Sequence, residues 1–230
     1  MIVAHRGASR DAPENTCRAF MLAWAQGADA VEGDFRLTRD REIICRHDPD
    51  IGNRPIAEQT LEAIRRIEPD VPTLSEVLAT VPAGKAVFLE IKCGPEITPV
   101  LMEQLNASAL NPDQVTVIAF NPEVIRSVKT ANPAISAHWL LKFRRPFPFR
   151  LKPSMPEVLQ TLEKIRADGL STHPQFLTRR IVQRLNRAGC SHHVWTVDDP
   201  AAARRFLSWG TRSITTNLPG KLKKQLESSP

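Results

Sequence analysis

The feature that most restricts this chain is a regular alternation of short apolar, strand-like runs with longer amphipathic ones. Strand signals fall at Ile2–His5, at residues 30–35, 87–92, 115–120, 135–141, 170–173 and 193–197, and at Ser213–Thr216. Helical spacing occupies residues 15–26, 96–106, Pro122–Ala131, 156–167, 178–188 and 200–209. Eight strands separated by helices predict parallel βαβ repetition in an α/β fold. A closed (β/α)8 TIM barrel is the simplest result, with an open doubly wound sheet as the alternative. The punctuation agrees. Asn15 or Thr16 is suited to cap the first helix and Gly27 to end it. Pro122, Pro156 and Pro200 occupy first-turn positions, where a missing amide donor does no harm. Gly169, Gly189 and Gly210 read as helix stops.

Two segments break the rhythm. Residues 38–87 hold no simple βα unit; 42–47 read as an antiparallel return from 30–35, and 60–67 and 74–79 as short helices. This predicts a short insertion after the second barrel strand, at about residues 48–81, within a single domain covering 1–230. The second break, residues 142–153, carries five basic residues and three phenylalanines and reads as a loop over one end of the barrel.

With 42% hydrophobic and 24% charged residues in 230, the chain is globular rather than disordered. No apolar run approaches the ~20 residues needed to span a bilayer, so stable membrane insertion is not expected. A strand beginning at Ile2 leaves no room for a secretion signal, and a cytoplasmic location is the expectation. The scattered Cys17, Cys45, Cys93 and Cys190 fit buried free thiols in a reducing compartment. The net charge of +6 comes without any nucleic-acid-binding signature and reads as a field steering small anionic substrates. The oligomeric state is not legible.

The chemistry gathers in residues 2–48. Glu32 and Asp34, two apart on a strand, project from one face and suit a hard divalent cation. His5 and His47 each follow an apolar strand and suit acid–base work near neutral pH. Arg6 suits a phosphate. Together these are the components of a metal-assisted phosphodiesterase.

The same residues carry a family resemblance. HRG at 5–7, PENT at 13–16, Glu32–x–Asp34, Thr38–x–Asp40, His47–Asp48 and LEIK at 89–92 resemble the glycerophosphodiester phosphodiesterase family. VPTLSEVL at 71–78, VWTVDD at 194–199 and ITTNLP at 214–219 continue the pattern almost to the end of the chain. The resemblance implies a barrel with its active residues at the carboxyl ends of the strands. It implies one divalent cation, Ca²⁺ or Mg²⁺, on Glu32, Asp34 and Glu90, and proton transfer divided between His5 and His47. Arg6 and Lys92 would hold the phosphate, Trp195 would wall the glycerol carbons, and Phe120 would line the pocket. Glu14 and Asn15 would support these residues, and His173 could reach the mouth; His138, His192 and His193 read as structural.

The implied reaction cleaves a glycerophosphodiester to sn-glycerol 3-phosphate and an alcohol. A lysophospholipase D-like enzyme acting on membrane lysolipids is the alternative, and a silent phosphodiester-binding protein is the rival from another class. The silent binder would be marked by loss of a histidine or metal carboxylate, and none is lost. Two departures stand out: Asn217 occupies a position where the family usually has aspartate, and Ala119–Phe120 replaces its usual Ser–Phe. The short stretch at 48–71 bears on substrate preference, because in the family this region covers the glycerol moiety.

Overall fold

The computed structural model describes residues 1–145 and 151–228. The chain opens with β1 (Ile2–His5), α1 (Cys17–Ala25) and β2 (Ala30–Leu37). An insertion follows: β3 (Ile43–Cys45), the hairpin of β4 (Asp50–Ile51) and β5 (Arg54–Pro55), and the short helices α2 (Leu61–Ile67) and α3 (Leu74–Leu78). Alternation then resumes with β6 (Ala86–Ile91), α4 (Thr98–Ala107), β7 (Val115–Ala119), α5 (Pro122–Ala131) and β8 (Ser136–Leu141). It ends with α6 (Met155–Lys164), β9 (Gly169–Thr172), α7 (Arg179–Arg187), β10 (Ser191–Val194), α8 (Pro200–Ser208), β11 (Ser213–Thr216) and α9 (Pro219–Glu227).

The sheet is closed, because β1 pairs in parallel with β2 on one side and with β11 on the other. From β2 the order runs through β6, β7, β8, β9, β10 and β11, every pairing parallel. This is the TIM barrel, and the open sheet is excluded. Strand alternation sorts the side chains. Outward residues such as Val31, Leu89 and Val117 pack under the helices, while Val3, Ala30, Phe88, Ile118 and Leu140 form an inner cluster. Two histidines share that interior: the His138 and His193 rings stack with centroids 4.2 Å apart.

Several expectations are corrected. Gly169 is the first residue of β9 rather than a helix stop, and the turn after α6 falls to Arg166 at φ 55°. A Cβ at 169 would lie 2.4 Å from Ser191 Oγ, so glycine is required by the close approach of β10. Gly27, Gly189 and Gly210 do take positive φ after their helices. Thr16, not Asn15, caps α1 by accepting from the Ala19 amide. The β4–β5 hairpin and α9 have no counterpart in the sequence reading, and β10 ends one residue before Trp195. The four cysteines are unpaired, and only Cys45 is fully buried.

Of the basic loop, residues 146–150 lie outside the described residues. Its flanks are joined by an antiparallel bridge between Arg144 and Lys152, and Phe143 is buried. No helix among the described residues is long and apolar enough to cross a membrane.

Candidate active site

The carboxyl ends of β1, β2 and β6 build the centre. Asp34 on β2 stands in register with Glu90 on β6, and Glu32 sits one inward position below Asp34. Carboxylate oxygens of Glu32, Asp34 and Glu90 all lie within 4.8 Å of one another, and all three residues are buried. Two cations balance part of this charge. Lys92, the next inward residue after Glu90, places Nζ 3.0 Å from Asp34 Oδ1 and 2.5 Å from Glu90 Oε1. Arg6 Nε lies 3.0 Å from Asp34 Oδ2, and its Nη1 donates to Glu14 Oε1 at 2.8 Å.

Arg6 would face away from the centre on an ideal strand. Its φ of 55° turns it inward, and its backbone N–H donates to Glu32 Oε2 at 3.0 Å. Gly7 completes this turn at φ 81°, directly against α1: a Cβ there would meet the Ala19 carbonyl carbon at 2.6 Å. Gly7→Ala is therefore expected to cost about 3 kcal/mol of stability through overpacking and backbone strain. Denaturant unfolding would show it; a loss below 1 kcal/mol would mean that the α1 contact yields easily.

The acids are not equivalent. Burial, reinforced by Asp34 and Glu90, pushes Glu32 well above the usual carboxylate range. Burial acts on Asp34 in the same direction, but Lys92, Arg6 and the Asn15 amide hold it below its ordinary value. Glu90 is raised by burial despite Lys92. Glu32 Oε1 is buried with no hydrogen-bond partner, and three acids against two cations leave an excess of negative charge. Convergent oxygens, one of them orphaned, fit a hard cation such as Ca²⁺ or Mg²⁺ better than a softer metal.

His5, at the end of β1, points Nδ1 at Asn217 Oδ1, 2.8 Å away; burial lowers its pKa, opposed by this bond. His47 follows β3 and is half exposed, with Nδ1 2.8 Å from Asp48 Oδ1. Its loop is anchored by Arg36, which donates to the His47 carbonyl from Nε and Nη2 and to the Lys92 carbonyl from Nη1. His47 borders a cleft of about 550 Å³, whose other walls include Glu14, Arg18, Arg46 and the insertion residues Glu68 and Asp70. Glu32, Asp34 and Glu90 are not among its lining residues.

Phe120 and Trp195 form a separate aromatic rim. Their rings meet edge to face at 5.6 Å, His173 approaches Trp195 at the same distance, and Phe120 is 47% exposed. Thus His5, Arg6, Glu32, Asp34, Glu90 and Lys92 lie at the ends of three adjacent strands, with His47 tied in through Arg36. Phe120 and Trp195 make no hydrogen bond to that group.

Sequence reading passed over Arg36 and Asp198, and left Asn15 with two possible tasks. Asn15, buried and at φ 58°, donates to Asp34 Oδ2 and accepts from the Asp34 amide, which fixes the carboxylate. Its place in PENT pointed to the site, but only the fold brings it to Asp34.

The glycerophosphoryl diester phosphodiesterase family model matches residues 5–221. A glycerophosphodiester phosphodiesterase from Caldanaerobacter subterraneus subsp. tengcongensis is 27% identical over 246 residues, spanning 96% of each chain. One from Bacillus subtilis is 27% identical over 259 residues, covering 97% of this chain and 85% of that protein. An Oleispira antarctica phosphodiesterase, solved with the product sn-glycerol-3-phosphate, superposes with a TM-score of 0.85 at 25% identity, covering 99% of this chain and 97% of that one. With the match spanning nearly the whole barrel, this chain belongs to the glycerophosphoryl diester phosphodiesterase family.

Proposed function

We propose that this protein hydrolyses glycerophosphodiesters to sn-glycerol 3-phosphate and an alcohol. The observation that carries the reading is the buried triad of Glu32, Asp34 and Glu90, flanked by Arg6 and Lys92 at the barrel mouth that also holds His5. A phosphodiester carries one negative charge and gains more on its equatorial oxygens as the bond to the leaving alkoxide stretches. Arg6 and Lys92 would hold the nonbridging oxygens and offset that charge. Glu32, Asp34 and Glu90 would hold one divalent cation, whose contribution when bound is to neutralise and polarise the phosphoryl group.

His5 and His47 would divide the proton transfers, one accepting a proton from the attacking hydroxyl and the other giving one to the departing alkoxide. Trp195 and Phe120 would offer an apolar wall to the glycerol carbons. The insertion would contribute to substrate choice, because Glu68 and Asp70 line the cleft beside His47.

The test follows sn-glycerol 3-phosphate release from glycerophosphocholine and glycerophosphoethanolamine after chelation, with Ca²⁺ or Mg²⁺ restored separately. Release that depends on the cation supports the reading. No release from well-folded protein would overturn it, and turnover only on micellar lysolipid would replace it with the lysophospholipase D-like reaction. Glu90→Gln is expected to weaken cation binding at least about tenfold, by analogy with the loss caused by disturbing even an outer partner of a ligand. Calorimetric titration without substrate measures this directly, and an unchanged isotherm would remove Glu90 from the ligand set.

A further inference from the structure

His5 ends a row of hydrogen bonds whose direction can be worked out. Asn217 Oδ1 lies 2.8 Å from His5 Nδ1, and Asn217 Nδ2 donates to Asp198 Oδ2 at 2.9 Å. Asp198 Oδ1 also accepts from the Asn217 backbone N–H and the Thr216 hydroxyl, each at 2.8 Å. An ionised carboxylate only accepts, so the Asn217 amide must turn its NH₂ toward Asp198 and its oxygen toward the ring. The Ser9 hydroxyl donates to the same oxygen at 3.2 Å. Facing an atom that only accepts, His5 Nδ1 must carry the ring proton. Among the described residues nothing hydrogen-bonds Nε2, and it is not among the buried atoms left without a partner.

We propose that Asp198 and Asn217 are positioning residues that lock His5 in its Nδ1–H tautomer, leaving Nε2 as the one atom that exchanges protons with the substrate. The partner of one ring nitrogen decides what the other can do. When His5 accepts a proton, the O–H bond of the attacking group breaks, its proton goes to Nε2, and Nδ1–H stays on Asn217. When His5 donates, the Nε2 proton leaves and the neutral Nδ1–H ring is recovered. The departure at Asn217 therefore leaves the ring oriented, because the donor–acceptor order is set one residue further out, at Asp198. This inference rests on the catalytic role proposed for His5.

The test is ¹⁵N NMR of histidine-labelled protein, metal-free and at pH 8, with the His5 signals identified by their loss in His5→Gln. The expected spectrum has a protonated Nδ1 and an unprotonated Nε2. Asp198→Asn removes the obligatory acceptor, so the Asn217 amide becomes free to turn and part of the population moves to Nε2–H. Turnover falls with it by about 10- to 100-fold at nearly constant KM, short of the ~10⁴ seen when a catalytic histidine is forced fully into the wrong tautomer. The double variant Asp198→Asn/Asn217→Asp exchanges donor and acceptor and should restore both the spectrum and the turnover. Asn217→Asp alone sets two carboxylates against each other but keeps an accepting oxygen on Nδ1, so it should keep the Nδ1–H spectrum; an Nε2–H ring in that variant would overturn the relay. An Nε2–H ring in the unmodified protein, or an Asp198→Asn spectrum identical to it, would overturn the relay. The expected tautomer changes in a protein that cleaves no diester would overturn the proposed activity and leave the relay standing.

Discussion

His47→Ala is expected to lower turnover by about 10²–10⁴-fold, the usual weight of general acid–base catalysis, with the fold intact. The alkoxide leaving from a phosphodiester is a poor leaving group, so loss of a positioned proton donor or acceptor falls on the chemical step. The fold should survive because the His47 side chain is 41% exposed and its hydrogen bond goes to the exposed Asp48. Its loop is held through the main chain, by Arg36 on the His47 carbonyl, and alanine retains that contact. Cation binding should also be unchanged, since His47 is not part of the carboxylate cluster. Steady-state turnover of a soluble glycerophosphodiester, paired with calorimetry of the cation, separates these claims. Near-normal turnover would remove His47 from the mechanism. Lost cation affinity would make its role structural.

The second large effect concerns stability in mild acid. His138 and His193 stack inside the barrel, and His192 lies buried outside it between the Thr172 and Thr211 hydroxyls. Burial lowers the pKa of His138 to about 4 and that of His192 to about 3. Burial also lowers His193 well below its ordinary value, helped by His138, His192, Arg212 and the N-terminus. Asp168 pulls His138 upward and Lys129 pushes it down, but neither overcomes desolvation.

The unfolded chain protonates these rings near pH 6.5 and the folded chain does not. Protons therefore favour the unfolded state, and stability is lost as pH falls below about 6.5, until each ring charges in the folded state as well. For His138 the full effect is on the order of 3 kcal/mol, of which about 2 appears between pH 7 and 5. In metal-free protein the raised Glu32 acts in the opposite sense, because there the folded state takes up the proton. The clean readout is thus a difference: His138→Gln should lose less stability than the unmodified chain between pH 7 and 5, by about 2 kcal/mol. Urea unfolding in chelator at both pH values would measure it. Parallel losses in the two proteins would mean that His138 is already charged in the folded barrel or exchanges with solvent.

The amino-acid sequence by itself determined most of the alternation of strands and helices, favoured the barrel, and named His5, Arg6, Glu32, Asp34, Glu90 and Lys92, which the structure brings together. It could do so because these depend on local periodicity and on residue types held at fixed spacing. Pro122–Ala131 needed only a proline at the first turn and a repeating apolar face. Glu32 and Asp34 needed only the twofold alternation of a strand.

Tertiary structure decided what depends on pairs far apart in the chain. Gly169 looked like a helix stop, yet its reason for being glycine is Ser191 on the neighbouring strand. His138 and His193 meet only because β8 and β10 both turn these side chains into the closed interior on either side of β9, where His138 is in register with Gly169 and His193 with Ser171. Asn15, Arg36 and Asp198 carry no local mark of their partners Asp34, His47 and Asn217. α9 was missed because its basic, weakly apolar sequence becomes a helix where Leu222 finds a buried seat against the barrel. Local spacing fixes which face a side chain points from; only closure of the sheet fixes what it meets there.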